Sequence, residues 1–107
     1  MTKKQKYYYG INLGILKYVG SGNKILDIGC GAGLMGQEMR SKGNYVYGID
    51  NSEPQLKIAS KMLDYVRLAD IRSSKMDLPD DFDVIVFADI LEHLDDPLSC
   101  LINFRKF

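Results

Sequence analysis

The sequence predicts an α/β fold built on an open parallel sheet, and three observations carry that prediction. Apolar runs of strand length, Lys24–Ile28, Tyr45–Ile49 and Phe82–Phe87, alternate with stretches whose apolar residues recur at helical spacing. Turns rich in Gly, Asn, Ser and Asp separate them. A glycine cluster, Gly29-Cys30-Gly31-Ala32-Gly33, directly follows the first run. Strands alternating with helices through short connections imply parallel pairing and right-handed crossovers. The expected strand order is 3-2-1-4 with helices on both faces. The crevice at the carboxyl ends of strands one and four is then the switch point where such sheets place ligands.

The elements follow in order. From about Tyr7 to Val19, the residues Tyr8, Ile11, Ile15 and Val19 fall on one helical face with Leu16 beside them, and Gly20-Ser21-Gly22-Asn23 stops the helix. Gly10 and Gly14 weaken it by about 1 kcal/mol each. Strand one is Lys24–Ile28. The helix after the glycines runs from about Gly33 to Ser41, burying Met35 and Met39, and Lys42-Gly43-Asn44 ends it. Strand two, Tyr45–Ile49, leads to Asp50. Ser52-Glu53-Pro54-Gln55 opens the next helix, with Ser52 as cap, Gln55 reaching back to complete a capping box, and Pro54 in the first turn. Leu56, Ala59 and Leu63, with Met62 beside them, form its apolar face. Strand three is Tyr65–Leu68, Arg72–Asp81 is a loop, and Phe82–Phe87 is the most strand-like run of the chain. A last helix starts with Asp96 as cap and Pro97 at the first position, with Leu98, Leu101, Ile102 and Arg105 on one face.

Composition limits the function. The 107 residues are 46% hydrophobic and 26% charged, which suits one domain over residues 1–107 with a real core, below the usual size of a complete α/β enzyme. Fourteen basic side chains balance fourteen acidic ones, so no excess charge argues for nucleic acid or an anionic membrane surface. Cys30 and Cys100 lie far apart without metal-ligand spacing, as reduced thiols of a cytoplasmic protein do. The basic start, Met1 to Lys6, runs into Tyr7-Tyr8-Tyr9-Gly10 rather than an apolar signal core, and no run approaches a membrane span.

The glycine turn admits two readings. Gly31-Ala32-Gly33-Leu34-Met35-Gly36 matches the dinucleotide pattern G-x-G-x-x-G, with Asp50 about 20 residues on, where a ribose-binding acid belongs. Against a nicotinamide cofactor stands the register. The strand ends at Ile28, so the turn glycine is Gly29 and the pattern is Gly29-x-Gly31-x-Gly33. Asp27, just beneath the turn, would repel a pyrophosphate by about 4 kcal/mol at 4 Å and an effective dielectric of ~20. Acids also recur after the other strands, at Asp50, Asp70 and Asp89. Such a set suits a ligand with an amino group, a ribose diol, an adenine amine and a sulfonium, and no phosphate.

S-Adenosylmethionine has those groups, and the chain resembles the N-terminal half of a class I S-adenosylmethionine-dependent methyltransferase, a Rossmann-like fold. Ile25-Leu26-Asp27-Ile28-Gly29-Cys30-Gly31-Ala32-Gly33 stands where that family has its first motif. Val46-Tyr47-Gly48-Ile49-Asp50 resembles the second, Leu68-Ala69-Asp70-Ile71 the third, and Phe82–Phe87 the fourth strand. The resemblance implies that the backbone of Gly29, Cys30, Gly31 and Gly33 lies under the methionyl part of the cofactor, with Cys30 simply a small turn residue. It implies Asp27 near the amino group, Asp50 on the ribose hydroxyls, and Asn51 bordering the adenine. Asp70 would accept from the adenine amine beside Ile71, and the Ala88 carbonyl would face the methionyl amino group.

Asp89-Ile90-Leu91-Glu92-His93-Leu94 follows strand four, where the resemblance brings a small-molecule acceptor to the methyl group. Three readings stay open for Asp89, Glu92 and His93: a structural or capping role, acid–base work or substrate positioning centred on His93, and a divalent-cation site. No resident metal is expected. The resemblance also implies that the chain is truncated before the usual fifth to seventh strands. Strand four would then be an exposed edge, covered by Phe104–Phe107 or paired with a second chain in a homodimer. Two functions are carried forward: a methyltransferase, and a cofactor-binding or interaction module without turnover of its own.

Overall fold

The computed structural model describes residues 13–72 and 77–87. Within them lie α1 (Leu13–Val19), β1 (Lys24–Ile28), α2 (Leu34–Ser41), β2 (Tyr45–Asp50), α3 (Glu53–Ala59), β3 (Tyr65–Leu68) and β4 (Val84–Val86). The strands form one sheet in the order β3-β2-β1-β4, as the sequence predicts. All pairings are parallel: Ile25 lies opposite Val46 and Val84, and Asp27 opposite Gly48 and Val86. The inner strands β1 and β2 are buried almost throughout, whereas the edge strand β3 carries exposed Tyr65 and Leu68. That contrast is why β1 and β2 read as continuous apolar runs.

Alternation along the strands divides the core in two. Ile25, Val46 and Val86 point to the first face, where they meet Val19 of α1, Met35 and Met39 of α2, and Leu56 and Ala59 of α3. Leu26, Ile28, Tyr47 and Ile49 point to the second, where Ile71, Leu78 and Phe82 pack on them. The β1-to-β2 and β2-to-β3 crossovers run leftward over the first face. The chain must then return from β3 to β4 past both inner strands, and right-handedness puts that return on the second face. Ile71 and Leu78 belong to this return, which explains why they are buried although they lie outside any strand or helix. Among the described residues the helices all lie on the first face. The helix expected after Asp96, and the cover expected from Phe104–Phe107, lie outside the described residues, as does the start of the first helix from Tyr7.

Three local details show how side chains fix the frame. Asn44 is buried after α2. Its Nδ2 donates to the carbonyls of Gly20 and Met39, both at 2.9 Å, and its Oδ1 accepts the Asn23 amide at 2.9 Å. Leu63 fills the space left by two glycines. A Cβ on Gly36 would lie 2.2 Å from Leu63 Cδ2, and one on Gly48 2.6 Å from Leu63 Cδ1 and 2.8 Å from Cys30 Sγ. Asp64 accepts the Val46 amide at 2.8 Å and pairs with Arg40 at 3.1 Å, joining β2 to α2.

Two expectations are corrected. Ser52 does stand at the N-cap of α3, but its side chain makes no cap hydrogen bond, and the capping box does not form. The Ser52 amide that Gln55 was expected to satisfy donates to Asp50 Oδ1 at 2.9 Å, so a nearer carboxylate occupies that role. The fourth strand is also shorter than Phe82–Phe87. Only Val84–Val86 pair with Ile25–Asp27, while Phe82 turns its ring edge-on to Tyr47 at 5.5 Å and Asp83 accepts the Lys24 amide at 2.8 Å. No helix among the described residues is long and apolar enough to cross a membrane.

Candidate functional site

The carboxyl ends of β1 and β2 meet in a crevice whose floor is the glycine turn. Gly29, Gly31 and Gly33 adopt φ of 72°, 56° and 93°, the left-handed region that an L side chain resists. The turn is anchored from β2: the amides of Gly29 and Cys30 both donate to the Ile49 carbonyl, at 2.9 and 3.0 Å. Gly33 then donates to Cys30 O at 3.1 Å, and its own carbonyl accepts the Gln37 amide, starting α2 one residue later than expected. The second and third glycines do different work. A Cβ on Gly33 would press on Ala59 Cα at 3.1 Å, so this glycine lets α2 approach α3, whereas a Cβ on Gly31 would meet nothing within 4 Å among the described residues. The described residues therefore leave the space above Gly31 open, and bare backbone faces it.

Asp50 ties the crevice together. Its Oδ2 accepts the Gly31 amide at 2.9 Å and its Oδ1 the Ser52 amide at 2.9 Å. A carboxylate has about four acceptor positions, so each oxygen keeps capacity for a further donor. Asn51, beside it, is exposed.

Asp27 is the unusual group. It sits in the middle strand with 1% of its surface exposed, and its Oδ2 has no hydrogen-bond partner among the described residues. Its register partners are Gly48 and Val86, so the carboxyl points to the first, apolar face beneath the turn. Burial, and then the nearby Asp50 charge, push its pKa up to about 7. The same surroundings push the Cys30 thiol up to about 12, through burial, Asp27 and Asp50 in that order, which makes it an inert packing residue.

Asp70 and Ile71 lie at the carboxyl end of β3, alongside Asp50, whose carbonyl accepts the Ala69 amide at 2.9 Å. Asp70 is held by Arg72, which donates to it from its backbone amide at 2.9 Å and from Nε and Nη2 at 3.1 Å each. Those bonds hold the Asp70 carboxyl below the usual carboxylate range. Asp27, Gly29, Cys30, Gly31, Gly33, Asp50, Asn51, Asp70 and Ile71 thus gather at one end of the sheet. Ala88, Asp89, Glu92 and His93 lie outside the described residues. Sequence reasoning missed Ser52, whose amide braces Asp50, and Arg72, whose only sequence signal is its place two residues after an acid.

The comparisons agree with this geometry. The family model described as a methyltransferase domain matches residues 26–107. A ubiquinone biosynthesis O-methyltransferase of Thiobacillus denitrificans is 38% identical over 86 residues, 74% of this chain and 37% of that one. Its namesake in Idiomarina loihiensis is 37% identical over 83 residues, 71% of this chain and 34% of that one. Among solved structures, an S-adenosylmethionine-dependent methyltransferase from Mesorhizobium loti is 32% identical with a TM-score of 0.56, covering 67% of this chain and 36% of that one. The chain spans little more than a third of the length of these curated relatives. With a match over most of its length, a 3-2-1-4 parallel sheet and a three-glycine turn braced by Asp50, the chain belongs to the class I S-adenosylmethionine-dependent methyltransferase family.

Proposed function

We propose that this chain is the cofactor-binding part of an S-adenosylmethionine-dependent methyltransferase acting on a hydroxyl of a small molecule. The observation that carries the reading is the pairing of bare backbone at Gly31 with two acids, Asp50 and Asp27, whose Oδ2 has no partner among the described residues, in a crevice whose residues 27–33 and 50–52 include no cation. The residues fit that cofactor and not a pyrophosphate. Open space above Gly31 admits a methionyl chain, buried Asp27 suits an ammonium, and the remaining lone pairs of Asp50 suit a diol.

In this reading Asp27 attracts the amino group, aided by the Ala88 carbonyl, and Gly29, Cys30, Gly31 and Gly33 cradle the chain between. Asp50 holds the ribose hydroxyls, each charge-assisted bond worth about 1.5–3 kcal/mol. Asn51 and Ile71 flank the adenine, and Asp70 accepts from its amine while Arg72 keeps that carboxylate charged and fixed. When bound, S-adenosylmethionine supplies a methyl group made electrophilic by its sulfonium. The protein's share is alignment of the acceptor and exclusion of water. His93, with Asp89 and Glu92, is assigned to receiving or steering the acceptor's proton. The hydroxyl acceptor follows the names of the relatives from Thiobacillus and Idiomarina.

Calorimetry with S-adenosylmethionine and S-adenosylhomocysteine tests the binding half, and saturable binding of both is expected. Methyl transfer to small-molecule hydroxyl acceptors by a polypeptide extended beyond Phe107 tests the enzyme half. Binding without transfer by the extended protein would leave a cofactor-binding module; no binding would end the reading.

A further inference from the structure

A carboxyl group in the middle strand of a sheet, sealed from solvent, requires a reason. Asp27 is 1% exposed, and Oδ2 has no partner among the described residues. Leaving a buried acceptor unsatisfied costs about 1–3 kcal/mol, and more for a charge. Two conditions relieve that cost: a proton on the group, or a cation beside it.

The described surroundings supply the first condition and not the second. From β2 the charged group that acts on Asp27 is Asp50, an anion. From the glycine turn it is Cys30, a thiol held neutral. β4 offers Val86, and its preceding acid, Asp83, is engaged at the opposite end of β1 with Lys24. α2 turns Met35 and Met39 to the sheet, and α1 turns Val19. No described Lys, Arg or His forms a hydrogen bond or ion pair with Asp27.

We propose that Asp27 carries a proton while the crevice is empty and releases it to solvent when the ligand's ammonium seats beside it, so that cofactor capture is coupled to proton release. The proton passes from the carboxyl to the buffer; no other bond changes. The coupling makes Asp27 a selector for the amino-acid end of the ligand. A nucleoside with the same ribose and adenine but no ammonium gives Asp27 no cause to ionise and binds without the proton. The inference rests on the functional reading above, and goes beyond it in assigning the state of one group and its change on binding. The raised pKa of Asp27, about 7, puts the exchange in the neutral range.

The test has two parts. In the empty protein labelled with ¹³C at aspartate carboxyls, the Asp27 resonance is expected to titrate with a midpoint near neutrality; a midpoint in the ordinary carboxylate range would overturn the proposal. Calorimetry is then run at pH 6 in two buffers of different ionisation enthalpy, with S-adenosylhomocysteine and with 5′-methylthioadenosine as probes. About one proton is expected to leave with S-adenosylhomocysteine and none with 5′-methylthioadenosine, and S-adenosylhomocysteine affinity should rise about tenfold from pH 6 to pH 8. In Asp27→Asn both the release and the pH dependence should vanish. S-Adenosylhomocysteine binding without proton release would remove this proposal and leave the functional reading standing; no binding by either nucleoside would remove both.

Discussion

The Gly31 amide and the Asp50 carboxylate, nineteen residues apart in sequence, meet at 2.9 Å, so the acid ending the second strand holds the turn that follows the first. Asp50→Ala should therefore do two things. It removes a charged acceptor from the ligand, weakening S-adenosylhomocysteine binding by tenfold or more at about 1.5–3 kcal/mol per lost bond. It also frees the Gly31 and Ser52 amides, whose hydrogen exchange should quicken in the ligand-free protein. Asp50→Asn, which keeps one oxygen acceptor, should fall between wild type and alanine on both measures.

Stability should decline as pH rises between about 4 and 7. The Asp27 carboxyl has its ordinary value of 3.8 when unfolded and about 7 when folded. Across that window the folded state holds a proton that the unfolded state has lost, so the slope of unfolding free energy with pH is negative, at most about 1.4 kcal/mol per unit. The contribution is fully present below the unfolded value and gone above the folded one. Asp70 and Asp81, whose carboxyls are lowered by Arg72 and Lys24, act in the opposite sense and only at more acid pH. Urea unfolding of ligand-free protein from pH 4 to 8, compared with Asp27→Asn, measures the difference; the variant should be flatter and relatively more stable at pH 8.

Gly36→Ala and Gly48→Ala should each cost about 1–3 kcal/mol, the usual range for overpacking a filled core. Leu63 lies between both positions with 4% of its surface exposed, so making room for either new methyl requires repacking a filled core. Introducing Leu63→Ala as the second change should make each glycine replacement milder than in wild type. Equilibrium urea denaturation of the four-protein cycle reads this coupling. Additivity within about 0.5 kcal/mol would contradict the contact.

Asn44→Ala should destabilise by about 2–4 kcal/mol, because one buried side chain satisfies the Gly20 and Met39 carbonyls and the Asn23 amide together. Asn44→Asp should be no better, since it sets a carboxylate oxygen against two carbonyls where an amide stood. The change should appear as a lower urea midpoint with unchanged slope.

Much of this architecture was legible because the relevant signals are local. Lys24–Ile28 and Tyr65–Leu68 have the bounds their apolar runs imply, and the left-handed glycines fall where a tight turn required them. The strand order follows from crossover rules applied to those elements. The mistakes arose where another group took the role that spacing or propensity assigned. Ser52 and Gln55 have the spacing of a capping box, but Asp50 reaches the Ser52 amide first. Phe82 has strand propensity, but its ring is drawn to Tyr47 on the second face. Nor could spacing show that Leu63 would serve two glycines, Gly36 and Gly48, that are far apart in sequence.

The 3.1 Å approach of the Gly33 Cβ position to Ala59 carries a consequence for how such a protein can vary. The back of the turn rests on a neighbouring helix that supplies no described ligand group, so a bulkier side chain at position 59 would press on the cradle from behind. A lineage, or an engineer, can retune grip on the cofactor from behind while every residue in front of it stays the same.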